Sequence, residues 1–284
     1  MSRLTQFEDS RNYNIFTDTS STSLVLAMPF NKENGVRDVS HLIRGTGSEF
    51  TNITYNRIKY GDIVNHETCY YDSCIRFPYT PYQSTLNIIT PGLTGTTALG
   101  TQNWTIECWM KFDTFDFEGQ FDILYPSFID STNAADDVPY FFITGDGWAT
   151  AGERRGIQLR RGTGVQTSTV GIQANAVLTT GIWYHIAATR EGNTFRIALG
   201  SKQSQGSGVQ VDGITAGENI GARGTIVSSG TDTHSFTGYN YNWFSRSFNK
   251  GRMPLGVYAQ DFRYYIGAAK YTNTYRVPEP MFVY

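Results

Sequence analysis

The chain has 284 residues, with 23 Lys and Arg against 25 Asp and Glu, for a net charge of −2. That balance excludes a broadly basic nucleic-acid-binding surface and leaves room only for local patches. Charged residues make up 17% and aromatic residues 14%, with 29 glycines, a balance that suits strands joined by long loops.

Residues 1–22 are polar, with Ser and Thr concentrated at the end of that stretch, and read as an arm outside the core. No apolar run of signal-peptide type opens the chain. The longest apolar stretch, Leu24–Phe30, falls far short of the roughly 20 residues that a membrane span needs. The expectation is a protein made in a cytoplasm, soluble and without membrane insertion. Leu24–Phe30 reads instead as a buried strand stopped by Pro29. Ile53, Tyr55 and Arg57 alternate within Phe50–Tyr60. Cys74–Phe77 and Thr85–Ile89 give two further strands, separated by a proline-bearing turn.

The clearest strand is Trp104–Phe112. Trp104, Ile106, Cys108, Met110 and Phe112 point one way, and Thr105, Glu107, Trp109 and Lys111 the other. A tryptophan in the polar set predicts that the outer face is covered as well. Ile182–Arg190 and Thr194–Leu199 form a hairpin across Glu191-Gly-Asn193. Residues 113–156 and 224–256 break the strand rhythm and read as long loops. No segment carries a helical apolar stripe and no fixed repeat appears. The pattern predicts an all-β, two-sheet antiparallel sandwich with jelly-roll connectivity, one domain over residues 23–284.

The closing stretch carries a D-x-R segment, then Gly267, Ala269, Lys270, Tyr271, Thr272, Tyr275 and Pro278. With Asp261 and Arg263, these residues resemble the final segment of laminin-G-like, concanavalin-A-type β-sandwich domains, especially phage-encoded ones. Trp104-Thr-Ile-Glu-Cys-Trp109 resembles the family's F-T-I-E-x-W strand, and Trp183–Arg190 its W-H-H-I-A-x-x-R strand. Leu24–Phe30 and Cys74–Phe77 sit where the family has two earlier strands. Departures fall in loops: Pro78–Tyr82 lacks the family's acid, and Ala198-Leu-Gly-Ser201 replaces its V-N-G-x turn.

Glycoside hydrolysis on such a sandwich needs two facing carboxylates. Asp116 and Glu118 share a face but Asp113 does not, so no catalytic set is expected. The acids between 113 and 146 are candidates for calcium, but no D-x-D-x-D-G loop is present; no metal site is expected. His41, His66, His185 and His234 show no ligand spacing, and His185 reads as a satisfied sheet histidine. Cys69, Cys74 and Cys108 read as free thiols, with Cys69 and Cys74 facing each other across a tight loop as the alternative. Arg154, Arg155, Arg160 and Arg161 read as a charged edge strand, with a phosphate- or subunit-gripping hairpin as the alternative.

The surface-recognition candidates are Tyr239, Tyr241, Trp243 and Phe244. Their rings suit stacking on sugars, contact with a protein partner, or packing on the sandwich itself. The resemblance implies a non-enzymatic phage virion protein, a capsid decoration or a tail or fibre component, bound to other virion proteins or to copies of itself. A host-surface glycan-binding module is the alternative, ahead of a polysaccharide-cleaving enzyme.

Overall fold

A computed structural model describes residues 14–15, 18–49, 53–56, 62–65, 73–77, 87–90, 99–117, 120–126, 139–147, 150–161, 170–175, 177–201, 223–236, 241–246, 256–278 and 282–283. The strands are β1 (Asn14–Ile15), β2 (Leu24–Met28), β3 (Thr54–Asn56), β4 (Ile63–Asn65), β5 (Ser73–Arg76), β6 (Asn87–Thr90), β7 (Trp104–Phe112), β8 (Gln120–Pro126) and β9 (Pro139–Thr144). There follow β10 (Ile157–Arg161), β11 (Val170–Ala174), β12 (Trp183–Glu191), β13 (Thr194–Ser201), β14 (Arg223–Thr231), β15 (Tyr241–Arg246), β16 (Val257–Ile266), β17 (Tyr275–Arg276) and β18 (Phe282–Val283). Among the described residues one short α-helix occurs, α1 (Ser40–Arg44), stopped by Gly45.

All pairings are antiparallel. A nine-stranded sheet runs β17-β14-β13-β12-β7-β16-β5-β4, with β2 on the other half of the β16 edge. A seven-stranded sheet runs β11-β10-β9-β8-β15-β6-β3. A separate ribbon joins β1 to β18. The all-β sandwich expected from the sequence is thus present. Parts of the predicted loops are sheet: 113–156 carries β8 and β9, and 224–256 carries most of β14 and all of β15.

The core fills the space between the sheets. Ile106, Cys108 and Met110 of β7 face Phe121, Phe141 and Leu159 of the other sheet, and all six are buried. This inner set is the alternation expected for β7. The other side of the same strand is also closed: Trp109 packs with Cys74, Trp183, Tyr258 and Val277. The cover predicted from Trp109 is therefore real.

A left-handed residue in β15 and a bulge in β16 decide which rings enter the core. Trp243 pairs with Leu124 and Ser245 with Asp122, leaving Phe244 opposite Ile123. Phe244 takes φ 53°, a left-handed value uncommon away from glycine. This breaks the alternation, and the consecutive Trp243 and Phe244 both enter the core. Trp243 lies 4.9 Å from Phe262, and Phe244 lies 5.2 Å from Phe77 and 5.4 Å from Phe30. The bulge in β16 sets Asp261 at φ 56° and inserts an extra residue between Gln260 and Arg263. It turns Phe262 inward while keeping Arg263 on the outer face, directly across from Glu107.

Candidate functional site

Among the described residues, the largest meeting of ionisable groups lies on the outer face of the nine-stranded sheet. Alternation along β7 puts Glu107 there, and the register sets it beside Ala187 on β12 and Arg263 on β16. After β16 the chain turns at Gly267, whose φ of 91° suits glycine, and folds back over this face. Thr105 fixes the returning backbone: its hydroxyl donates to the Ala268 carbonyl at 3.0 Å and accepts from the Lys270 amide at 3.0 Å.

Lys270 then reaches inward. Its Nζ donates to Glu107 Oε1 at 3.1 Å, to the Tyr265 hydroxyl at 2.9 Å and to Asp18 Oδ2 at 3.2 Å. Tyr271 donates its hydroxyl to Glu107 Oε2, and Tyr265 donates its own to Asp18. Arg263 Nη1 approaches Glu107 Oε1 at 3.5 Å, while its Nη2 donates to Asp261 Oδ2 at 2.7 Å. His185 Nδ1 meets the Tyr275 hydroxyl at 2.8 Å, and its Nε2 stands 3.4 Å from Glu107 Oε2. The Nε2 contact is off the hydrogen-bond direction and acts electrostatically. With Nε2–H turned toward a carboxylate, Nδ1 is the acceptor and Tyr275 the donor.

Burial would raise the Glu107 carboxyl, but Lys270 foremost, with His185 and Arg263, holds it far below the usual carboxylate range. Burial pushes His185 down, against the pull of Glu107, so it is neutral. Burial, reinforced by the Glu107 charge, pushes the Tyr265, Tyr271 and Tyr275 phenols well up, so they stay donors. A carboxylate beside an imidazole is the raw material of acid–base chemistry. Here Glu107 is 1% exposed and His185 0%, and their remaining contacts are filled by the closing segment. The arrangement orders chain: it binds residues 267–277 to the sheet.

The floor under that segment is equally specific. A Cβ at Gly224 would overlap the Tyr275 ring, so β14 needs glycine to let Tyr275 reach His185. Tyr271 rests on Ala187 and Ala198, whose small side chains leave room for it. The residues that carry the family resemblance thus meet in space: Glu107, His185, Asp261, Arg263, Lys270, Tyr271 and Tyr275. The Arg190 of the same pattern does similar work at one end of the sandwich. Its Nη1 donates to the carbonyls of Gly100 and His234, at 2.7 and 2.8 Å.

The sequence-based candidates fall elsewhere. Tyr239 lies outside the described residues, and Tyr241 opens β15. Trp243 and Phe244, expected on a recognition loop, are 0% exposed and belong to the core; the left-handed backbone at Phe244 is the reason. The arginine cluster is not an edge: β10 lies between β9 and β11. Arg155 donates twice to Asp146, at 2.6 and 2.7 Å, and Arg160 pairs with Glu153 at 3.2 Å. Arg155 holds the Asp146 carboxyl below its usual range. Asp113 is likewise paired, with Lys111 at 2.9 Å and the Tyr258 hydroxyl at 3.0 Å. Among the described residues no group of three or more His, Cys, Asp or Glu could hold a metal ion. Cys74 and Cys108 are buried, and Cys69 lies outside the described residues. The sequence reading missed Glu107 and Lys270 as partners; the one signal was the polar face of β7 interrupted by Trp109.

No protein-family model matches the sequence, and no curated protein does. Among solved structures, the chain resembles the botulinum neurotoxin serotype D binding domain, with TM-score 0.51 and 12% identity over 87% of this chain and 49% of that one. It spans about half the length of that domain structure. The exoplasmic/lumenal domain of VIP36, in its Ca2+/Man2-bound form, matches with TM-score 0.48 and 9% identity over 88% of this chain and 92% of that one. Tailspike protein 2 of bacteriophage CBA120 matches with TM-score 0.38 and 15% identity over 67% of this chain and 25% of that one. The toxin-domain match establishes a shared β-sandwich architecture, to which the two weaker matches add nothing.

Proposed function

We propose that the chain is a non-enzymatic structural and adhesive module of a bacteriophage virion, docked on other virion proteins or on copies of itself. The observation that carries this reading is the inward turn of its chemistry. The carboxylate–imidazole pair is sealed beneath the chain's own closing segment, and Asp113, Asp146 and Glu153 are matched with Lys111, Arg155 and Arg160. The resemblance of the closing segment to phage-encoded domains supports the virion assignment. Cryo-electron microscopy of intact particles from the source tests it. Density for the sandwich at ordered positions on capsid or tail is expected; a particle that lacks it overturns the reading.

Recognition of host-surface polysaccharide is the second reading, supported by the sandwich shared with a toxin binding domain. Tyr239 and Tyr241 are the rings of the 239–244 run left to it. A glycan array with the parent chain and Tyr241→Ala separates the readings, because a purely structural module gives no signal in either.

A further inference from the structure

We infer that Asp18 is a latch that holds both ends of the chain to the sandwich. Its carboxylate sits in a socket made by Lys270 Nζ, at 3.2 Å, and the Tyr265 hydroxyl. The socket stands on the buried charge below it, since Lys270 also donates to Glu107 at 3.1 Å. The other Asp18 oxygen accepts from the Ser20 amide at 2.8 Å, and the Asp18 carbonyl accepts from the Ser21 amide at 2.9 Å. These two bonds tie the latch into the 3-10 turn Ser21–Ser23, which leads directly into β2. The side chain is only 9% exposed, so water competes poorly for it.

Just before the latch, Asn14 and Ile15 pair with Val283 and Phe282. A two-residue ribbon has no independent stability. It persists because Asp18, three residues on, fixes the start of the chain beside the end. Vacating the socket therefore releases β1 and β18 together and leaves the sandwich intact. The role given to the released arm, docking to a neighbour, rests on the virion reading; the latch does not.

Hydrogen exchange read by mass spectrometry on the full chain tests this, with Asp18→Asn and Asp18→Ala beside the parent. The asparagine keeps an acceptor for the Ser20 amide but removes the charge and puts an NH2 donor where Lys270 and Tyr265 donate. Exchange at Asn14–Ile15 and Phe282–Val283 is expected to rise roughly 10- to 100-fold in both variants. Amides of β7 and β12 stay at parent rates. Trypsin cleavage after Arg11 rises in parallel. Unchanged ends in Asp18→Asn overturn the latch, as the turn alone then holds the arm. Lost protection across β7 and β12 overturns it too, since Asp18 would then support the sandwich. A chain absent from virions defeats the docking reading whatever the amides do, and unmoved amides defeat the latch wherever the chain resides.

Discussion

Ile106 and Glu107 are neighbours on β7, both closed to solvent, and different forces hold them. The inner side meets the opposite sheet through apolar contact, where shape and volume decide stability. The outer side is covered by residues 267–277 and is held through ion pairs and phenol hydrogen bonds, where charge state decides it. The contrast explains why both sets of alternating residues on β7 vanish from the surface although only one of them is apolar. It also shows that a sandwich can bury its outer face by folding a later segment over it as a third layer.

The first way to break the comparison is a pair of substitutions with effects of like size and opposite character. Trp243→Ala removes a core ring and should cost about 3–5 kcal/mol in urea unfolding, insensitive to salt and pH. Its loss of binding to any sugar would then report unfolding, so a folded, stable Trp243→Ala would return that ring to the surface. Glu107→Gln should also cost about 3–5 kcal/mol, because Lys270 and Arg263 lose their shared buried anion. The sharper sign is where the damage falls: residues 267–277 should lose exchange protection first, and uniform loss would undo the two-sided picture.

Gly224→Ala comes next, at about 1–3 kcal/mol from overpacking under Tyr275. The companion Tyr275→Ala in the same chain should relieve part of the strain, and strict additivity in that cycle would separate the two residues.

The smallest effect is on pH. His185 and Glu107 both have folded-state values below their unfolded ones. The unfolded chain therefore binds more protons through each window, and stability falls on acidification. The decline begins near 6.5 as unfolded His185 protonates, and deepens below about 4.5 with Glu107. One group contributes at most about 1.4 kcal/mol per pH unit. Urea midpoints from pH 7.5 to 5 should slope in the parent and flatten in His185→Gln; equal slopes would assign the decline to other histidines.

Strands that alternate cleanly were legible in the sequence. β7 and the β12–β13 hairpin needed only period two and a Gly-Asn turn. β15 was not, because a left-handed residue lets two adjacent rings share one side, and adjacent aromatics imitate a loop. β10 misled in another way, since β11 pairs with the side that reads as an open edge, while Arg160 and the preceding Arg155 pair with Glu153 and Asp146. For the polar cluster, each member stood in a family-like motif, but their convergence was invisible. Periodicity reports which way a residue points, and carries no information on what later covers it. Trp109 alone hinted at a cover, being too apolar for an open face.

Glu107 also imposes an order on biosynthesis. The tyrosines and lysine that neutralise or bond it leave the ribosome between 158 and 164 residues afterwards. Until then a nascent chain with β7 paired to β12 carries an acid that must stay hydrated, so the sheet cannot dry on that side. Residues 265–271 are the stretch that permits dehydration, so closure of this face waits on their synthesis, and a chain cut short before them is left with a wet, open sheet.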